Sequence, residues 1–192
     1  MTLKDELSQP LGAMREALVW KLDGLSEYDI RRPLTRTGTN LLGLVKHLTV
    51  VELLYFGYSF DRHFPDPPPW FRQDGPPNEE MWARADESRA YILDTYARAG
   101  RHADTTISEV SLDAVGRVEW WRHTDGKATL RQILIHVVAE GQRHLGHADV
   151  VRELIDGTAG LLPYVDMLPE GDEAWWAAHH AAVEQAAQEA AK

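Results

Sequence analysis

The chain has 192 residues, 44% of them hydrophobic, which suits one domain with a sizeable core and a short appendage. Thirty acidic against twenty basic residues give a formal net charge of −10, which repels phosphate backbones and anionic lipid and so argues against nucleic-acid and membrane partners. The absence of cysteine excludes disulfides, thiolate nucleophiles and Cys-type zinc sites, so any thiol chemistry must use a thiol from outside.

Helical periodicity dominates the chain. Leu7, Leu11, Met14, Leu18, Leu22 and Leu25 predict a first amphipathic helix over roughly residues 4–24, ended by Asp23-Gly24. Thr39 or Asn40 is the expected N-cap of a second, in which Leu41, Leu44, Leu48, Val51, Tyr55 and Tyr58 step by three and four. Six of the ten prolines lie between Asp61 and Glu79 together with Trp70 and Phe71, a composition that forbids helix and predicts a connecting loop with aromatic anchors.

A third helix is expected from about Glu79 to Ala99 on Met81, Ala85, Ile92 and Tyr96, with Gly100 as its stop. Residues 101–128 are less regular, and Val118, Trp120 and Trp121 suggest a short extended or packed segment before the turn at Asp125-Gly126. Thr129 caps a long helix that continues to about Ile155 and stops at Asp156-Gly157. After a loop over 160–171, the alanine-rich segment Glu173 to Ala191 fits a peripheral helix or a frayed tail. The expected fold is all-α, an antiparallel four-helix bundle over residues 1–160 with a long Pro-rich crossover loop, followed by a C-terminal loop and peripheral helix over 161–192. With no run of some twenty apolar residues and no secretory signal pattern, the expected location is the cytoplasm.

The last long helix carries a misfit. Ile133, Val137, Glu140, His144, His147, Val151 and Leu154 form one expected inward stripe, and three of these seven are metal-ligand types. A carboxylate is rarely buried unless paired or bound to a cation. Glu140 and His144 are one turn apart and can grip one ion from the same side. His136 and His147 extend the row to four candidates over about three turns, more than one ion can contact at about 2 Å, so one or two are spectators. A third ligand must come from another helix, and His47, beside Leu44, Leu48 and Val51, is the best candidate. Glu52, five positions on and rotated away by about 140°, reads as a polar-face or supporting residue.

Blander readings stand beside this one. His47 alone fits a hydrogen-bonded core residue, and Glu140 with His144 fits a buried polar network completed by Arg143 or Arg15. His63, His102, His123 and His136 suit surface or loop positions, and the Trp120-Trp121 and Trp175-Trp176 pairs suit packing. A di-iron carboxylate bundle needs Glu and His separated by two residues, whereas three separate Glu140 from His144.

The segment Thr39-Asn40-Leu41-Leu42-Gly43-Leu44-Val45-Lys46-His47-Leu48, followed by Glu52, resembles the second-helix motif of the DinB-like (YfiT-like) superfamily of metal-binding four-helix bundles. Thr129-Leu130-Arg131 through His136, then Glu140, Arg143-His144, Gly146-His147-Ala148-Asp149 and Arg152-Glu153, is similar to the fourth-helix motif of its actinobacterial branch. That branch is similar to mycothiol-dependent S-transferases and the amino-terminal domain of mycothiol-dependent maleylpyruvate isomerase. The resemblance spans residue 10 to about 160 and implies a metal held by His47, Glu140 and His144. Many DinB-like proteins carry histidine where this chain has Glu140, while the isomerase uses glutamate.

Three protein ligands leave a divalent ion an open position, the arrangement of a catalytic site. A small thiol bound there loses its proton without any protein cysteine. The expected activity is a metal-dependent thiol S-transferase, with mycothiol as co-substrate and a small electrophile as partner. His147 would support a ligand or carry a proton. Alternatives are a non-catalytic metal-binding stress or ligand-sequestering bundle and a metal-dependent hydrolase. Ligand type favours zinc, nickel, iron or manganese over calcium, with zinc ahead. The aromatic loop and the last helix could support a homodimer.

Overall fold

The Thr2 hydroxyl accepts from the amide of Asp5, whose carboxylate accepts from the amide of Thr2. This reciprocal cap opens α1 (Leu3–Trp20) in the computed structural model, which describes every residue except 73, 167 and 192. α1 ends earlier than its pattern suggests, and Gly24, at φ +74, turns the chain. α2 (Leu41–Glu52) begins at Asn40, whose Oδ1 accepts from the Gly43 amide at 2.8 Å.

The expected continuation of α2 to Tyr58 is helical in a different form. Leu53–Gly57 make a π-helical turn and Tyr58–Phe60 a 3-10 turn. The wider turn rotates the residues beyond it, so Tyr55 is buried while Tyr58 is 49% exposed. The stretch Leu41–Phe60 is long and apolar enough to cross a bilayer, but 78% of that window is buried within the protein, as in a core helix.

Of the two expected anchors of the crossover, Trp70 is buried and Phe71 is partly buried against Leu53, Phe64 and Ala99, and Phe64 is a further buried anchor. Lys46 adds a tether with no periodic signature in the sequence. Its fully buried ammonium donates to the carbonyls of Glu79 (3.1 Å) and Trp82 (2.7 Å) and to Glu87 Oε2 (2.8 Å), and lies 4.5 Å over the Trp70 ring. A Cβ on Gly43 would come 1.9 Å from the Met81 carbonyl oxygen. Gly43→Ala should therefore push the 79–82 turn off α2 and cost about 1–3 kcal/mol or more, read as a lower urea midpoint. An unchanged midpoint would mean that the turn is not seated there.

The third helix differs most from its expectation. α3 spans Arg89–Glu109, beginning at the cap Ser88 and running through Gly100. Residues 79–82 cannot continue a helix because the Glu79 and Trp82 carbonyls serve Lys46, and only a single 3-10 turn, Glu79–Met81, forms there. Gly100 is a close-approach position rather than a stop: a Cβ there would lie 3.1 Å from Arg15 Nε.

Val115–Arg117 (β1) then pairs antiparallel with Lys127–Thr129 (β2), in the register Val115 to Thr129. The described structure is thus helix-rich, as expected, with a small two-stranded sheet that the expected all-α fold did not include. Strands of three residues carry too little alternation to be legible in the sequence. α4 (Leu130–Asp156) opens with a Thr129–Gln132 capping box and closes at Gly157, φ +76.

α1 packs against α4 and α3, and α2 against α3 and α4. Leu11, Met14, Leu18, Leu44, Leu48, Ile92, Tyr96 and Ile133 are all buried where they meet. The inward line of α4 also departs from the expected stripe. Ile133, Val137, His144 and Val151 are buried, but Leu154 is 63% exposed and His147 lies outside. Gly141, Leu145 and Ala148 complete the buried line, and Met14 fills the space beside Gly141. Small residues mark close helix approach but contribute little to an apolar pattern.

The chain divides into two compact units, Met1–Ala159 and Gly160–Lys192. In the second, Asp172 caps α5 (Glu173–Ala190), none of whose residues is buried, and the Trp175 ring stacks on His179. Its alanine-rich segment is a helix rather than a frayed tail.

Candidate metal centre

α2 and α4 run antiparallel where they meet. His47 faces Glu140 and His144, while Tyr55, further along, meets His136, one turn earlier on α4. Glu140 Oε1 lies 3.0 Å from His144 Nε2 and 3.9 Å from His47 Nε2, and one donor atom from each residue falls within 4.8 Å of the others. Ligands about 2 Å from a tetrahedral ion stand roughly 3.4 Å apart, so small side-chain movements would complete such a shell.

His47 supplies a test of fit. Both its ring nitrogens are buried with no hydrogen-bond partner among the described residues. Buried polar atoms are normally satisfied, and a cation among the three residues would satisfy Nε2. The opposite nitrogen, Nδ1, lies 3.9 Å from Glu80 Oε1. Burial, helped by the neighbouring His144, pushes the His47 pKa down, and burial pushes His144 down against the opposing pull of Glu140. Both rings therefore favour the neutral form that ligates metals.

The row of four candidates on α4 is divided by its surroundings. Glu140 and His144 converge with His47. His147 reaches only the far side of His144, with its Nδ1 3.4 Å from His144 Nδ1. His136 Nε2 lies 2.9 Å from the Tyr55 hydroxyl. Arg15, a candidate partner for Glu140 on sequence grounds, is occupied elsewhere: its Nε and Nη2 donate to Glu52 at 2.9 and 2.8 Å, and Nη1 donates to Asp104. Glu52, expected on a polar face or as a supporting residue of the centre, is instead 1% exposed and belongs to this separate ion pair. Its carboxyl is pushed up by burial, against the opposing pull of Arg15.

Tyr55 organises a cluster beside the centre. Its oxygen accepts from the indole N–H groups of Trp120 (2.9 Å) and Trp121 (3.2 Å). With both lone pairs engaged, the phenol proton is directed to His136 Nε2. The Trp pair thus does more than pack: it ties the β1–β2 connection to the π-helical turn after α2 and, through Tyr55, to His136 of α4. Tyr55→Phe should cost about 1–2 kcal/mol by leaving these donors unpaired, and should change the tryptophan emission spectrum. A spectrum and urea midpoint identical to wild type would remove the clamp from consideration. The sequence signals for this cluster are the adjacent tryptophans and a tyrosine on the helix face that carries His47.

A cleft of about 300 Å³ adjoins the other flank, lined by Val50, Leu54, Tyr58, Trp70, Phe71, Arg72 and the same Glu80 that faces His47. Neither this cleft, whose link to the centre is Glu80, nor the larger hollows of about 410 Å³ beside Asn40 and Trp82 and about 760 Å³ beside the hairpin are lined by any of the three converging residues.

A family profile described as mycothiol-S-transferase matches residues 6–157. A search of curated proteins finds no match. Among solved structures, the chain is similar to a conserved protein from Enterococcus faecalis, with a TM-score of 0.64 at 15% identity, covering 82% of this chain and 99% of that one. At that identity the likeness concerns the fold alone.

Proposed function

We propose that this chain, which belongs to the mycothiol-S-transferase family, joins the thiol of mycothiol to a small electrophile at a metal centre formed by His47, Glu140 and His144. The observation that carries this reading is the convergence of two imidazoles and one carboxylate, with His47 Nε2 buried and unpartnered among the described residues, in a chain that has no cysteine. We read α1–α4 as an antiparallel four-helix bundle within residues 1–160, with residues 161–192 as a separate C-terminal loop and helix and the protein working in the cytoplasm. The ion is divalent, with zinc favoured over nickel, iron and manganese.

A bound ion of this kind supplies Lewis acidity that lowers the pKa of a thiol at its open position. The residues around it hold geometry and charge. Glu140 contributes the single negative charge, leaving the site net positive toward an incoming sulfur. Glu80 faces His47 Nδ1 and favours the tautomer that directs the Nε2 lone pair inward. If His144 held an ion through Nε2, its ring proton would sit on Nδ1, and His147 Nδ1, 3.4 Å away, would accept that hydrogen bond. In the transfer, the thiol sulfur bonds to the electrophilic carbon, the leaving group departs with the electrons of the broken bond, and the thiol proton passes to solvent.

The test is mycothiol consumption with 1-chloro-2,4-dinitrobenzene by metal-loaded and metal-stripped protein. The expected result is conjugate formed only by the loaded protein and only with thiol present. Metal-dependent product without thiol would instead mean hydrolysis. Saturable mycothiol binding with no product would mean a sequestering role.

A further inference from the structure

The cleft that shares Glu80 with the metal centre has a composition that selects a ligand. Its floor comes from the same helical line as His47: Val50 and Leu54 come three and seven positions after it, within about 60° of its direction. Tyr58 and Phe71 form the aromatic side, their rings edge-to-face with centroids 5.5 Å apart, and Trp70 closes it. Trp70 is 3% exposed, and its indole N–H has no acceptor among the described residues.

The charges at the rim disfavour an anion. Arg72 is already engaged by Glu79, with Nε and Nη2 donating to its carboxylate at 3.0 and 3.1 Å, so it offers little net attraction. Glu80 contributes an acidic group at the end nearest His47. At about 300 Å³ the cleft lies at the lower end of small-molecule sites, enough for a single substituted ring.

We propose that this cleft is the electrophile subsite and that it takes neutral, planar aromatic compounds, presenting them beside His47. This rests on the thiol-transfer reading of the metal centre. Its test does not: binding of 4-nitrobenzyl alcohol, an unreactive neutral ring, is followed by NMR on the full chain without thiol. The expected result is saturable shifts of the Trp70 indole signal with a Kd below about 1 mM, and binding at least about tenfold weaker for 4-nitrobenzoate. Leu54→Trp, which fills the floor, and Tyr58→Ala, which removes an exposed wall, should each weaken 4-nitrobenzyl alcohol about tenfold or more.

No saturable binding by wild type, equal binding of the anion, or unchanged binding by a folded Tyr58→Ala protein would overturn the proposal. Transfer assays separate its failure from that of the transferase reading. If the cleft is the subsite, Tyr58→Ala loses at least about tenfold more rate toward 1-chloro-2,4-dinitrobenzene than toward the small aliphatic iodoacetamide. Equal losses toward both would overturn the subsite.

Discussion

His144→Ala, purified in parallel with wild type, should carry less than about a tenth of the metal, against roughly one ion per chain in wild type by elemental mass spectrometry. The size of the effect comes from what the imidazole does. Its Nε2 is 3.0 Å from Glu140 and its ring lies 4.6 Å from that of His47, so the alanine leaves only two ligands on facing helices. Partners one contact removed from a metal cost about 10–100-fold in affinity when lost, and a ligand should cost more. His147→Ala supplies the contrast. It touches the far nitrogen of His144, so it should keep the ion with affinity reduced by no more than about 100-fold. Negligible metal in wild type even after reconstitution would return Glu140 and His144 to a polar network and remove the transferase reading with it.

Arg15→Ala should be the most destabilising single change in the ion-pair interior, by about 3–5 kcal/mol in urea unfolding. The truncation leaves Glu52, 1% exposed, as a buried charge without its bidentate partner and opens space beside Gly100. The loss should depend on pH with a definite sign. Burial already holds the Glu52 carboxyl above its ordinary value, and removing Arg15 raises it further. A raised native pKa means that the folded state binds the proton more tightly, so stability is retained at low pH and falls as pH rises through the native value. The deficit of Arg15→Ala should therefore be smaller at acid pH than at neutral pH. A deficit that grows on acidification would show that Glu52 is not the group left behind. Metal content should be little changed in this variant, because neither Arg15 nor Glu52 reaches the three converging residues.

Helix existence is legible where large apolar residues recur at helical spacing and a capping residue stands in front, as at Asn40 and Thr129. The three residues of the centre are legible because a glutamate and two histidines on core-facing lines are costly unless something satisfies them. The true start of the third helix is not, because local propensity at 79–99 says nothing of a lysine over thirty residues earlier that takes two of its carbonyls.

The sequence by itself determined the helical periods, the caps at Asn40 and Thr129, the proline-forced crossover and the candidacy of His47, Glu140 and His144, because these depend on neighbours within a few positions. Only the tertiary structure decided which histidines converge and which are diverted, that Glu52 belongs to Arg15, that Glu80 faces His47 and that Tyr55 holds both indoles. Those outcomes depend on which faces meet across long separations in the chain, and contact between distant segments leaves no periodic trace in one sequence.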